Sequence, residues 1–232
     1  MNKSDSKWYD KKYEKEFNEL TSWNSKILEL ICNYIKKNDI QLVDLGCGKG
    51  VLIKEINSKL KVKKSNLFGV DQSKVTVNKL NKEGFRNVSR SYVEKLPFSD
   101  EQFDIVILAE VIEHLRNRDK SILEIKRILK KKGLLIISFP NYLNFPWLIL
   151  RLFSELFDKP NWINLQPYDK IYTYFFIRKL FKKNEFKFIK SKGTCYFPPL
   201  IYKYEPLVVS NLLSKMGLSF LSLHPVLIFI KG

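Results

Sequence analysis

The sequence predicts an α/β protein built on a doubly wound, mostly parallel sheet. Three observations carry that prediction. Between about residues 40 and 140, apolar runs of strand length alternate with stretches of helix length, the spacing of βαβ units. The runs IQLVDL (40–45) and NLFGVD (66–71) each carry an acid at or beside their last position. A glycine-rich turn, GCGKG, joins the first run to the helical stretch that follows, at the edge where open sheets bind ligands.

Taken in order, residues 24–37 place Ile27, Leu28, Ile31, Tyr34 and Ile35 on one helical face. Strands are expected at 40–45, 66–71, 87–93, 103–110 and 134–140, with helices from the glycine turn to about Leu60 and over 73–83. FDIVILAE (103–110) is continuously apolar, as a strand covered on both faces should be. SILEIKRILKKKG (121–133) reads as an amphipathic helix with a basic last turn and Gly133 as its stop. A densely apolar stretch follows at 145–157. After Pro160 and Pro167 comes a basic amphipathic helix running into a strand, then a helix at 206–217 and a last strand at 225–231. With no repeat and no low-complexity linker, 1–232 reads as one domain. It comprises an N-terminal helical cap (1–38), a cofactor-binding core (39–142), an insertion after the fifth strand (143–175) and the rest of the sheet (176–232).

Composition narrows the classes. Lys and Arg number 41 against 24 acids, a formal charge of +17, which excludes an acidic solvating chain and makes anionic partners worth testing. Residues 147–232 hold 13 basic and 5 acidic residues, against 28 and 19 in 1–146, so the back third is the more basic part. Cys32, Cys47 and Cys195 are odd in number and unclustered, which fits a reducing, cytoplasmic compartment. Two histidines exclude multi-histidine zinc sites. The N-terminus reads as no signal peptide, and no run reaches the roughly 18 apolar residues of a spanning helix.

The loop VDLGCGKG is the most informative segment. Gly46, Gly48 and Gly50 permit a tight turn and close approach of a ligand to the backbone. A dinucleotide site wants GxGxxG with pyrophosphate on the helix N-terminus. Here the spacing is GxGxG, and Asp44 stands beside it. A fixed carboxylate repels pyrophosphate but favours a sulfonium and an ammonium. Asp71, at the end of the second strand, suits the two ribose hydroxyls of an adenosine. The combination points to S-adenosylmethionine (SAM).

VDLGCGKG, GVDQS, EKLPFSDEQFDIVILAEVIEHL and ILKKKGLLIISFPN, in that order, resemble the successive motifs of class I SAM-dependent methyltransferases. The branch they most resemble contains small-molecule methyltransferases and the ubiquinone-biosynthesis O-methyltransferase. The resemblance covers about residues 40–142. It implies a Rossmann-like seven-stranded sheet, mostly parallel, with one antiparallel strand. It also implies that Asp44, Gly46, Cys47, Gly48 and Gly50 hold the methionine end, Asp71 the ribose, and Gln72 and Ser73 the adenine edge. Ala109 and Glu110 would border the cofactor at the end of the fourth strand. Tyr92 fills the place of the family's frequent adenine-binding Asp, which leaves the Val93 backbone and Glu94 for that role.

In EVIEHL, Glu110, Glu113 and His114 fall at i, i+3 and i+4, so on a helix they share one face. Two functional readings follow: His114 as general base supported by Glu113, or Glu110, Glu113 and His114 as ligands of a divalent cation such as Mg²⁺. The similar EVxEH element of some relatives binds a cation, but the further downstream histidine of the RNA-methylating ones has no counterpart near Ser138–Asn144, so His114 as base stands ahead of His114 as ligand. A solvated helix start is the bland alternative.

Transfer from SAM needs alignment and deprotonation of an O–H or N–H acceptor more than activation. Trp8, Tyr9 and Tyr13 form an aromatic cluster suited either to lid the pocket or simply to pack onto the domain. In the insertion, apolar side chains nearly encircle 145–157 and leave Arg151, Ser154, Glu155 and Asp158 as a polar strip. With Lys159, Trp162, Lys170 and Arg178 nearby, that pattern is expected either of a buried segment or of a peripheral membrane contact serving a lipid-linked acceptor. A nucleic-acid partner is not expected, since the lysines are scattered and there is no RNA-binding module or RGG-like tract. The sequence therefore reads as a SAM-dependent methyltransferase acting on a small-molecule or lipid-linked acceptor. RNA-directed methylation and a non-catalytic SAM-binding protein are the alternatives.

Overall fold

The computed structural model describes residues 3–15, 22–32, 34–35, 39–156, 169–197 and 205–232. Among the described residues, seven strands form one sheet: β1 (Leu42–Leu45), β2 (Leu67–Asp71), β3 (Val88–Arg90), β4 (Phe103–Ala109), β5 (Leu129–Ser138), β6 (Phe186–Thr194) and β7 (His224–Lys231). Their order is β3-β2-β1-β4-β5-β7-β6. β1 to β5 pair in parallel, and β7 runs antiparallel to both neighbours. The helices are α1 (Lys3–Lys15), α2 (Ser22–Cys32), α3 (Val51–Leu60), α4 (Lys74–Lys82), α5 (Arg118–Ile128), α6 (Phe145–Leu156), α7 (Tyr174–Lys183) and α8 (Leu207–Lys215).

The apolar continuity of β4 has the expected cause. Ile105 and Ile107 pack into one layer with Ile53 and Ile56 of α3 and Leu80 of α4. Val106 and Leu108 pack into the other with Ile122 and Ile125 of α5 and Ile177 and Phe181 of α7. Each such side chain, fully buried, contributes about 1.5–3 kcal/mol. The strand order reverses between β1 and its neighbours β2 and β4, so their carboxyl ends open the crevice in which doubly wound sheets bind ligands.

Four local expectations change. The first helix expected over 24–37 runs from Ser22 to Cys32, and Tyr34 and Ile35 pack partly buried after it. The third strand keeps only Val88–Arg90. Gly133 does not stop a helix. α5 ends at Ile128, Leu129 already pairs with Phe103, and pairing resumes at Leu134 with Ile105. The lysines between them form a solvent-side bulge, with Lys132 at φ 60° and the Lys130 ammonium 2.8 Å from Asp104.

The fourth change concerns the insertion. Arg151 does not lie on an exposed polar strip. It is 4% exposed, and its guanidinium donates to Asp169 at 2.8 Å and to the Tyr142 hydroxyl at 3.2 Å. The face of α6 turned to solvent is the apolar one, carrying Phe145, Ile149, Leu152, Phe153 and Leu156, the last 78% exposed. A buried carboxylate attracts the cation inward, and the helix turns its greasy side out. The side chains of Ser154 and Glu155, and residues Asp158, Lys159 and Trp162, lie outside the described residues. Among the described residues no helix is long and apolar enough to cross a membrane, and the three cysteines are free thiols.

Candidate cofactor and acceptor site

The glycine turn leaves β1 and doubles back onto β2. Gly46 and Cys47 both donate backbone hydrogen bonds to the Val70 carbonyl, at 2.7 and 3.0 Å, and Gly50 closes onto the Cys47 carbonyl at 2.8 Å. Gly46, Gly48 and Gly50 have φ of 74°, 48° and 69°, the left-handed region that excludes most side chains. A Cβ on Gly46 would stand 2.5 Å from Val111, and one on Gly50 2.4 Å from Leu80. All three glycines are therefore favoured by conformation, and Gly46 and Gly50 by space as well.

Two buried carboxylates face this turn. Asp71 accepts from the backbone N–H of Gly48 at 2.9 Å and of Ser73 at 2.8 Å. Burial nonetheless pushes its carboxyl up to about 6, because those donors only partly offset desolvation. Asp44 is pushed up to about 8 by burial and by the neighbouring Asp71 charge, with no offsetting hydrogen bond among the described residues. Burial likewise pushes the Cys47 thiol up, so it sits in the loop as an inert, packed group. An uncompensated buried acid is costly, and a cationic ligand is what would relieve it. The donor set fits SAM: Asp44 beside the charged methionine end, the bare glycine backbone for close approach, and Asp71, with carboxylate lone pairs to spare, for ribose hydroxyls.

The adenine candidates are more dispersed. The Gln72 carbonyl accepts from Arg90 Nε at 2.9 Å. The Ser73 hydroxyl caps α4, accepting from the Thr76 amide, and donates to Asp10 of α1 at 2.5 Å. Val93 is buried, while Glu94 accepts from the Asn117 amide at 3.4 Å. Ala109 closes β4, half-buried and paired with Ser138.

Sequence reasoning missed Asp10. It accepts from Ser73 and from the Val75 amide at 3.2 Å, tying α1 to the start of α4. Tyr13 on the same helix lies over the glycine turn, its hydroxyl 3.1 Å from where a Cβ on Gly48 would stand. Trp8, Tyr9 and Tyr13 do pack as a cluster, with ring centroids 5.0 and 6.0 Å apart in succession. Asp10 sits among charged neighbours in the sequence, and nothing there marks it as a cap for a helix more than sixty residues on.

The EVIEHL segment is not the helical face that its spacing implies. Glu110 leaves β4 at φ 53°, and only Ile112–His114 form a single 3₁₀ turn. As a result the three do not converge on one point: Glu110 turns to a partner on another strand, while Glu113 and His114 stay side by side. Glu110 pairs with His224 of β7, Oε2 to Nδ1 at 2.9 Å. Glu113 is 2% exposed, with Oε1 3.5 Å from His114 Nε2 and Oε2 unpartnered among the described residues. Burial, reinforced by Glu110 and Asp169, pushes the Glu113 carboxyl well above its ordinary value, so it favours the neutral form. Among the described residues no group of three His, Cys, Asp or Glu side chains is placed to hold a metal ion. Glu110, Glu113 and His114 as placed thus do not fit a Mg²⁺ site.

A second hub also escaped the sequence. Asn141, just past β5, donates to the Phe220 and Ser222 carbonyls at 2.8 Å each and accepts from the Tyr174 amide at 2.8 Å. It fixes the exit of β5, the start of α7 and the approach to β7 around one edge of the crevice.

Residues 43–137 match a family described as a methyltransferase domain. Over 122 residues the chain is 31% identical to the ubiquinone/menaquinone biosynthesis C-methyltransferase UbiE of Campylobacter jejuni, covering 50% of this chain and 51% of that protein. Over 148 residues it is 32% identical to the ubiquinone biosynthesis O-methyltransferase of Rickettsia bellii, covering 58% of this chain and 57% of that protein. The chain thus spans about half the length of the curated relatives it matches first. A SAM-dependent methyltransferase of Thermotoga maritima, described as a possible histamine N-methyltransferase, superposes with a TM-score of 0.60 over 90% of this chain and 89% of its own. At 20% identity that likeness speaks for the fold alone. The fold, the glycine turn with its two acids and the match over residues 43–137 agree: the chain carries a class I SAM-dependent methyltransferase domain.

Proposed function

We propose that the protein transfers the methyl group of SAM to an oxygen or nitrogen nucleophile of a small-molecule or lipid-linked acceptor. The observation that carries this reading is the pair of buried acids, Asp44 and Asp71, set against a left-handed glycine turn. Asp44 faces the sulfonium and ammonium end, Asp71 accepts from the ribose, and Gln72, Ser73, Val93 and Glu94 border the adenine. Cys47 and Ala109 complete the walls. SAM supplies an activated methyl group; the chain's own part is to align it and to move a proton. His114, turned towards Glu113, is the group we assign to receive the acceptor's proton as the new bond to carbon forms and the C–S pair returns to sulfur.

The exposed apolar face of α6 favours the lipid-linked half of this reading and a peripheral membrane contact through that helix. The relatives named above act in quinone biosynthesis by their names, and their acceptors are carbon in one case and oxygen in the other.

The test is methylation of a host extract with label from SAM, followed by partition between solvent phases. Label is expected in organic-soluble or small polar products, in an alkali-stable ether or amine linkage. Replacing Leu152 and Leu156 with Gln is expected to reduce lipid labelling selectively. Label confined to RNA, or found on carbon, would count against the acceptor proposed, and labelling of nothing would count against transfer itself.

A further inference from the structure

We propose that His224 and Glu110 form the acceptor-positioning pair of this site, with His224 holding Glu110 so that its second oxygen accepts a hydrogen bond from the attacking hydroxyl or amine before transfer, the proton itself leaving to His114 as the new bond to carbon forms. The inference rests on the transfer reading above and deepens it, because it assigns the acceptor a hydrogen-bond donor on the attacking atom.

The sheet register brings the two residues together. Ser138, the last residue of β5, pairs with Ala109 on one side and with Val226 on the other. Glu110 follows Ala109, and His224 lies two residues before Val226 in the antiparallel strand. Both therefore overhang the carboxyl edge of β5, above Ser138. There His224 Nδ1 stands 2.9 Å from Glu110 Oε2. In the tautomer the proposal uses, Nδ1–H donates to this oxygen.

The pair is held from both sides. The Glu110 amide donates to the Ser138 carbonyl at 3.0 Å and fixes the residue at φ 53°. A non-glycine residue in that region costs on the order of 1 kcal/mol, and such strain persists where surroundings over-determine it. His224 pairs with Thr194, whose hydroxyl donates to the His224 carbonyl at 3.2 Å.

What remains points to a ligand. Glu110 Oε1 is buried and has no hydrogen-bond partner among the described residues, and neither has the hydroxyl of Ser138, whose backbone carbonyl holds the Glu110 amide. Buried polar atoms are almost always satisfied, so two orphans at the edge where β1 and β2 present the cofactor acids mark a place for a donor-bearing group. A hydroxyl or amine approaching the methyl carbon supplies that hydrogen, whereas a carbon nucleophile does not. Glu110 then orients the attacking lone pair, and His224 acts as a positioning residue behind it.

The experiment compares His224→Leu, His224→Asn and Glu110→Gln in transfer of labelled methyl from SAM to the accepting fraction of host extract. SAM affinity is followed by calorimetry. His224→Leu is expected to lower the rate about 10- to 100-fold, the worth of one hydrogen bond to a charged group, with SAM affinity within about 2-fold of the parent. His224→Asn should recover most of the rate, because its amide N–H can still donate to Glu110; a purely structural role would not show that recovery. Because the sequence holds two histidines, nitrogen-15 histidine labelling resolves them. A protected Nδ1–H of His224 is expected in the parent and should vanish in Glu110→Ala. Unchanged transfer in His224→Leu, no rescue by Asn, or no such resonance overturns the proposal. A parent protein that binds SAM yet labels nothing overturns the transfer reading, and the pair with it.

Discussion

Replacing Asp71 with alanine is expected to weaken SAM binding about 100- to 10,000-fold. On the proposed function its carboxylate accepts from both ribose hydroxyls, and hydrogen bonds to a charged group are worth about 1.5–3 kcal/mol each. The side chain also receives the Gly48 and Ser73 amides, so it links the glycine turn to the start of α4. Losing it costs ligand contacts and the ordering of two loops together. Asp71→Asn separates these effects: it keeps an acceptor for one amide and removes the charge that raises Asp44. Calorimetry on both variants reads the difference. An Asp71→Ala affinity within about 3-fold of the parent would remove Asp71 from the ribose site.

Arg151→Ala should be the most destabilising single change in the insertion, at about 3–5 kcal/mol, because it strands a buried carboxylate. Arg151 and Asp169 meet at 2.8 Å with side chains only 5% and 13% exposed. The guanidinium also lies over the Tyr142 ring, 5.6 Å from its centroid. Asp169 has a second oxygen with no partner among the described residues, so nothing there takes over when Arg151 is cut away. The Asp169 carboxyl also adds to the charge that disfavours ionised Glu113, so the loss is expected to reach the acceptor side of the crevice. The double change Arg151→Met with Asp169→Leu should be far milder, since burying two apolar groups replaces a buried pair at little net cost. Denaturant midpoints check this. Equal losses in the single and double variants would mean that packing of the Arg stem, not the charge pair, holds α6 in place.

Much of the fold was legible because its determinants are local in the chain. The glycines of the first turn, the acids at the ends of β1 and β2, and the continuous apolar run of β4 each carry their meaning within a few residues. What failed was decided at long range or by one backbone dihedral. Glu110, Glu113 and His114 have helical spacing, yet the left-handed Glu110 swings its carboxylate to a histidine 114 positions away. Arg151 looked like the polar edge of a greasy helix, but Asp169, invisible to helical periodicity, draws it inside. Gly133 follows a basic run as a helix stop would, but the strand had already begun at Leu129. Asp10 and Asn141 are read only once the chain is folded, since their partners lie on other elements.

On the proposed function, the crevice beside Asp44 and Asp71 receives SAM. Titration of the protein with SAM at about pH 6 and about pH 7.5 tests it most directly. Burial holds Asp44 towards its protonated form, with its carboxyl near 8, and Asp71 near 6. A cation arriving beside them favours the ionised form and so releases protons. Affinity should therefore rise with pH across that interval, by up to about 10-fold per pH unit for each proton released. The measured heat should change with the ionisation enthalpy of the buffer. Saturable one-to-one binding with that pH trend is the predicted result. Absence of binding at both pH values, or binding that tightens as pH falls, would contradict the account.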